Sequence, residues 1–209
     1  MGNRRKRGKK GGGDPRRDHF TDKARADGYA ARSVFKLAEI DRRFKVFRPG
    51  AAVLDLGCHP GSWTQYAAER VGKQGRVVGI DRTPTESPAD NTQMLQADLT
   101  DPFDDDALPG PFDVVLSDMA PDTTGIRHVD QDRSSVLAEI ALAFAEKWGK
   151  PGSFFIVKVF QGPDFQDFLA RVRRAYAKVR CVRPEATRKQ SIEVYVVAAG
   201  KREPQQQET

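Results

Sequence analysis

The sequence predicts an α/β domain: a seven-stranded, mostly parallel sheet with helices on both faces and an antiparallel last strand. Two observations predict it. Short apolar runs alternate with segments of helical periodicity along most of the chain. The final two apolar runs are separated by only ten residues without a helical pattern, fewer than the dozen or more that a parallel crossover needs.

The elements follow in order. From Phe20 to about Phe47 the pattern is helical, with Val34, Leu37, Ile40 and Phe44 forming an apolar stripe that ends at Arg48-Pro49-Gly50. Ala52 to Gly57 is a short apolar run stopped by glycine, followed by a loop and a helix-like stretch from about Ser62 to Val71. Arg76 to Asp81, Met94 to Asp98 and Phe112 to Asp118 read as the second, third and fourth strands. A helix is expected from about Asp132 to Trp148, with Val136, Ile140, Phe144 and Trp148 on one side, and then a strand from Ser153 to Val159. The next helix, Pro163 to Tyr176, turns Phe165, Phe168, Leu169, Val172 and Tyr176 inward and Arg171, Arg173 and Arg174 outward. Lys178 to Val182 and Glu193 to Ala199 are the closing strands.

The 209 residues, 38% of them apolar, suffice for one domain with a sizeable core, placed at 18–201. Residues 1–17 hold eight Lys or Arg against one Asp, so the formal net charge of +6 resides in this tail and the remainder is close to neutral. Glycines and cations with no apolar residue beyond Met1 predict a disordered tail, as does the Gln-rich end at 202–209. The basic tail is either a tether for phosphate backbone or a solubilising extension. No run of about 18 apolar residues is present to cross a bilayer, and the basic start leads into glycines instead of a signal sequence, so a cytoplasmic location is expected. Cys58 and Cys181 form no CxxC pair, and His19, His59 and His128 lack ligand spacing, so no metal site is expected.

Ligands of open α/β sheets bind beyond the carboxyl ends of the strands. Residues 55–63, Asp-Leu-Gly-Cys-His-Pro-Gly-Ser-Trp, lie there: Gly57 permits a sharp turn beside a ligand, Pro60-Gly61 a second turn, and Trp63 an aromatic at the helix start. The spacing is not GxGxxG, which argues against a dinucleotide. Asp81 is placed to accept from a ribose diol and Asp98 from an adenine amino group, although strand-end aspartates also serve as plain loop caps.

Three more residues meet at this edge if the last strand is reversed: Asp118 after the fourth strand, Lys158 near the end of the fifth, and Glu193 at the start of the last. Lys158 lies within Phe154 to Phe160, where an ammonium needs a partner or must snorkel to solvent. Lys36 is the weakest case from its own residues, since a lysine on an amphipathic helix is usually part of the wet face.

The segments Asp18 to Lys23, Arg32 to Leu37, Asp55 to Trp63, Ser117-Asp118-Met119-Ala120-Pro121, Val157 to Gly162 and Ser191 to Tyr195 resemble, in order and in spacing, the FtsJ/RrmJ family, also called RlmE. The resemblance runs from about residue 18 to 201. It implies a Rossmann-like S-adenosylmethionine-dependent methyltransferase acting on a uridine 2′-hydroxyl of ribosomal RNA within the large ribosomal subunit. Carried over by position, it implies a catalytic tetrad of Lys36, Asp118, Lys158 and Glu193, and cofactor contacts at Gly61, Trp63, Asp81, Asp98 and Asp118. The chain departs from the family at Cys58-His59 and Ser62, where small residues are usual.

For such a reaction Lys158 is expected to accept the hydroxyl proton, since partial burial and the nearby cation of Lys36 both favour a neutral amine. Asp118 would orient Lys158, and Glu193 would position Lys36 or the ribose. Arg32, Lys36, Arg188, Lys189 and the tail are candidate phosphate contacts. A monomer is expected. Transfer RNA as the substrate and a noncatalytic ribosome-assembly role are the alternatives, the latter disfavoured by the complete tetrad.

Overall fold

A computed structural model describes residues 15–188 and 190–203. Its elements are α1 (Pro15–Ala26), α2 (Val34–Phe44), β1 (Ala52–Leu56), α3 (Ser62–Val71), β2 (Arg76–Asp81), β3 (Thr92–Gln96) and β4 (Phe112–Ser117), then α4 (Arg127–Trp148), β5 (Gly149–Phe160), α5 (Phe165–Ala175), β6 (Tyr176–Val182) and β7 (Glu193–Lys201). The seven strands form one sheet in the order β3-β2-β1-β4-β5-β7-β6. β1 to β5 pair in parallel, whereas β7 runs antiparallel to both β5 and β6, as the short connection before it requires.

Each sheet face is closed by a helix pair. Leu37 and Ile40 of α2 and Trp63, Ala67, Ala68 and Val71 of α3 pack on Val53, Val114, Ile156 and Tyr195. On the other face Ala138, Ala141, Leu142 and Ala145 of α4 and Phe165, Phe168, Leu169 and Val172 of α5 cover Leu54, Val115, Phe155 and Val196. The interior strand β1 is buried along its whole length because it is covered from both sides.

Four expectations are corrected. The helix expected from Phe20 to Phe47 is two helices. Gly28 adopts a left-handed φ of 80°, and the amides of Gly28 and Tyr29 close back on the carbonyls of Arg25 and Ala24, ending the first helix in a glycine cap. α1 begins at Pro15, so residues 15–17 of the expected tail are helical; residues 1–14 and 204–209 lie outside the described residues.

β3 sits two residues earlier than expected. It is an edge strand, and its apolar Met94 and Leu95 are only partly buried, so hydrophobicity does not mark its limits. Asp98 consequently lies beyond the strand, after the Ala97 amide has bonded to the Asp81 carbonyl.

α4 starts five residues before Asp132, at Arg127. The Asp130 carboxylate accepts the amides of Thr124 (2.7 Å) and Gly125 (3.1 Å), which fixes the turn into the helix. Its buried face is alanine-rich. Ile140, Phe144 and Trp148 pack at the margin of the core, and Val136 is 56% exposed.

Candidate active site

The carboxyl ends of β1, β2 and β4 and the segment after β3 surround a cavity of about 530 Å³. Its walls include Gly57, His59, Asp81, Asp98 and Asp118, with Ile80, Leu99, Met119, Val136 and Leu137 supplying apolar surface. Volume and lining suit one small molecule that is largely flat and apolar with a few polar groups.

The loop after β1 comes close to the opposite wall. Gly57 has φ +76°, and a Cβ there would lie 2.5 Å from Met119 Cγ and 3.0 Å from its Cα, so a side chain would push the two walls apart. The same loop is tied to β2 at Asp81, whose Oδ2 accepts the His59 amide (3.0 Å) and whose Oδ1 accepts the Thr83 amide (2.8 Å). The His59 ring meets Thr85 Oγ1 at 3.1 Å. Asp98 accepts the amide (2.9 Å) and hydroxyl (2.7 Å) of Thr100, bonds that hold its carboxyl below the ordinary value. Two anionic acceptors thus stand on neighbouring walls with apolar side chains between them. Such a set of acceptors fits a nucleoside: hydroxyls and an exocyclic amine to donate to the carboxylates, a flat base for the apolar faces.

Gly61 and Trp63 do not line this cavity. Gly61 caps α3 with φ +101°. The Trp63 indole is buried against the Tyr195 ring, 5.8 Å between centroids, and donates to the Ser33 carbonyl at 3.0 Å.

Beyond Asp118 the cavity wall becomes a charge cluster. Lys158 Nζ lies 3.0 Å from Asp118 Oδ1 and also donates to the Asp118 main-chain carbonyl. Lys36 Nζ pairs with Glu193 Oε1 and lies 5.6 Å above the Tyr195 ring. The register explains the convergence: in the β5–β7 ladder Lys158 stands opposite Tyr195 and Phe160 opposite Glu193, so Lys158, Tyr195 and Glu193 share the face that α2 covers with Lys36. All four residues of the expected tetrad therefore meet.

Tyr195 is the member that the sequence reading missed. Fully buried, it donates to Asp118 Oδ1 at 2.7 Å. Burial, followed by the charges of Asp118 and Glu193, raises its phenol well above the ordinary value and keeps it a donor. For Asp118 burial pushes the other way, but Lys158, Lys36 and the tyrosine hydroxyl outweigh it, and the carboxyl is held below its usual value. The available signal was spacing: two residues after Glu193 on one strand is the same face.

A second unforeseen acid is Asp55 on β1. It is completely buried, its Oδ2 accepts the Thr64 hydroxyl (2.7 Å), and its Oδ1 has no partner. Burial raises it to about 7, assisted by the charges of Asp118 and Asp81. Arg82 and Asp122 form a two-pronged ion pair at 2.9 Å on the cavity rim. Arg32 is engaged with the Ala186 carbonyl, Arg188 is exposed, and Lys189 lies outside the described residues.

A parallel sheet with one reversed strand, a cavity at its carboxyl edge lined by carboxylates and apolar side chains, and a lysine–carboxylate cluster adjoining it are the features of a group-transfer enzyme. The FtsJ-like methyltransferase family model matches residues 29–201, and the chain belongs to that family. A "Ribosomal RNA large subunit methyltransferase E" from Desulfatibacillum aliphaticivorans is 50% identical over 198 residues, covering 93% of this chain and 95% of the relative. The protein of the same description from Bdellovibrio bacteriovorus is 46% identical over 191 residues, covering 89% and 97%. Among solved structures, a protein described as a ribosomal RNA methyltransferase from Plasmodium falciparum superposes with a TM-score of 0.72 at 24% identity, over 83% of this chain and 98% of that one, a likeness of fold.

Proposed function

We propose that this chain transfers a methyl group from S-adenosylmethionine to the 2′-hydroxyl of a uridine ribose in large-subunit ribosomal RNA. The observation that carries this reading is that Asp118 both lines the cavity and belongs to the paired lysine–carboxylate cluster. The substrate is supported by the two bacterial relatives, whose descriptions name ribosomal RNA of the large subunit.

S-Adenosylmethionine, when bound, supplies a methyl group on a positively charged sulfur. Asp81 would accept from its ribose hydroxyls and Asp98 from its adenine amine, with Ile80, Leu99 and Val136 offering apolar surface to the base. The turn at Gly61 and the main chain of Trp63, in the first turn of α3, would hold the amino-acid end. Asp118 forms the boundary between cofactor and RNA.

The hydroxyl of a ribose is a weak nucleophile, so the chain's task is to hold its oxygen in place and remove its proton. Lys158 Nζ, held 3.0 Å from Asp118 Oδ1, is the acceptor of that proton. Asp118, itself fixed by Tyr195, aims Lys158, and the Lys36–Glu193 pair positions the ribose. The chain acts as a monomer in the cytoplasm, where ribosomal particles are found. In keeping with this, no helix among the described residues is long and apolar enough to cross a membrane.

The test is methyl transfer from radiolabelled S-adenosylmethionine to purified large subunits, free ribosomal RNA and transfer RNA, with Lys158→Ala as control. Label recovered as 2′-O-methyluridine from large-subunit RNA, absent with the variant, is expected. Label on transfer RNA would replace the substrate, and cofactor binding without any transfer would replace the enzyme with an assembly factor.

A further inference from the structure

The basic residues of the folded domain are segregated. Residues 18–170 hold 17 Lys or Arg against 24 Asp or Glu, whereas residues 171–188 hold seven Lys or Arg against the single acid Glu185. This stretch comprises the end of α5, the edge strand β6 and the loop leading to Glu193. Arg173, Arg174, Lys178, Arg180, Arg183 and Arg188 are all exposed.

The fold turns this stretch into a track that starts at the active site. β6 lies parallel to β5, so Val182, paired with Tyr195, is at the tetrad edge of the sheet and Tyr176 at the far edge. Arg183 anchors the near end, donating to the carbonyls of Ser191 (2.7 Å) and Arg188 (3.2 Å) and so tying the strand end to the loop that carries Glu193. Lys178 and Arg180 stand opposite Ala199 and Val197, on the α2 side of the sheet, while Arg173 and Arg174, in the last turn of α5 just before Tyr176, adjoin the far end of the strand on the other side. The seven-residue strand extends about 20 Å, long enough to follow several phosphates.

The geometry points to a second RNA-binding element: the α5–β6 edge, through Arg173, Arg174, Lys178 and Arg180, grips the phosphate backbone of RNA flanking the target nucleotide. This inference rests on RNA being the substrate. The cluster has no part in cofactor binding or proton removal, and charge complementarity to a polyanion accounts for its one-sided composition in a domain that is otherwise acidic. A competing use is protection of the open strand edge against pairing with another chain, for which lysine and arginine also serve.

The experiment compares the full chain with Arg173→Ala/Arg174→Ala/Lys178→Ala/Arg180→Ala and with Lys73→Ala/Arg76→Ala at the opposite end of the sheet. Methyl transfer to large subunits is followed as a function of subunit concentration. Binding of a labelled, protein-free RNA duplex is followed as a function of salt. The four-residue variant is expected to keep cofactor affinity and the rate at saturating subunits, to raise KM about tenfold or more, and to lower the slope of log affinity against log salt by about 2 to 4. The control should match the parent in each. Arg173→Gln/Arg174→Gln on α5 leaves the strand ladder untouched and is expected to give about half the effect should the larger change disturb folding. Unchanged KM and salt slope in both variants would overturn the inference, as would self-association of the four-residue variant with unchanged KM, which would assign the charges to edge protection. A parent chain that methylates no RNA would instead overturn the proposed function itself.

Discussion

At the level of single residues, Asp118 joins the two halves of the site, and Tyr195 decides what Asp118 can do. Removing the hydroxyl in Tyr195→Phe leaves a partly buried carboxylate short of a donor, at a cost of about 1 kcal/mol in urea unfolding. The lowered Asp118 carboxyl contributes stability that is present above the ordinary carboxylate pKa and is lost as pH falls through the folded value. Tyr195→Phe is therefore expected to move the acid unfolding midpoint to higher pH. Asp55 has the opposite sign. Raised to about 7, it binds a proton more tightly in the folded chain than in the unfolded one, so stability falls as pH rises from its ordinary 3.8 toward 7. Asp55→Asn should flatten that decline, matching the parent near pH 4 and exceeding it at pH 8 in thermal melts; equal pH profiles would contradict it. Asp118, Lys158 and Glu193 were legible because each is a polar residue at a strand end. Tyr195 was not, because a tyrosine in the apolar run Val194 to Ala199 reads as core until its partner is known.

Among the elements, the loop from β1 to α3 and the end of α2 fix where the site can be. Gly57→Ala must open the gap to Met119 and adopt an unfavourable φ, and is expected to weaken cofactor binding at least tenfold by calorimetry while destabilising the fold by about 1–3 kcal/mol. The end of α2 depends on Asp41, 2% exposed, which accepts the amides of Val46 and Phe47 (3.0 and 3.2 Å), the Tyr66 hydroxyl and Arg70 Nε. Asp41→Ala orphans these donors and should cost about 3 kcal/mol in urea titration, with Lys36, one turn earlier on the same helix, losing its register to Glu193. Strands covered on both faces were readable from apolar runs alone. The misread boundaries lay where burial is partial: edge strand β3, and α4, whose buried face is built from alanines that carry little hydrophobic signal. The break between α1 and α2 at Asp27-Gly28 is a turn signal that the reading of one continuous helix did not use, because the apolar stripe that marked the helix begins only at Val34.

Over the whole molecule, one topological fact organises the function. The reversal of β7 brings the start of the last strand to the carboxyl edge of the other strands, so residues 36, 118, 158 and 193, far apart in sequence, form one cluster beside one cavity. That reversal was legible from the length of a single connection. The segregation of charge onto the α5–β6 edge was not, because only the fold shows that this edge begins at the tetrad. The central claim is that this cluster removes the ribose proton through Lys158, and its most direct test is single-turnover methyl transfer to large subunits by Lys158→Met, with cofactor affinity measured by calorimetry. The account predicts a rate lower by about 10²–10⁴ with cofactor affinity within a few-fold of the parent. A rate close to that of the parent would contradict it.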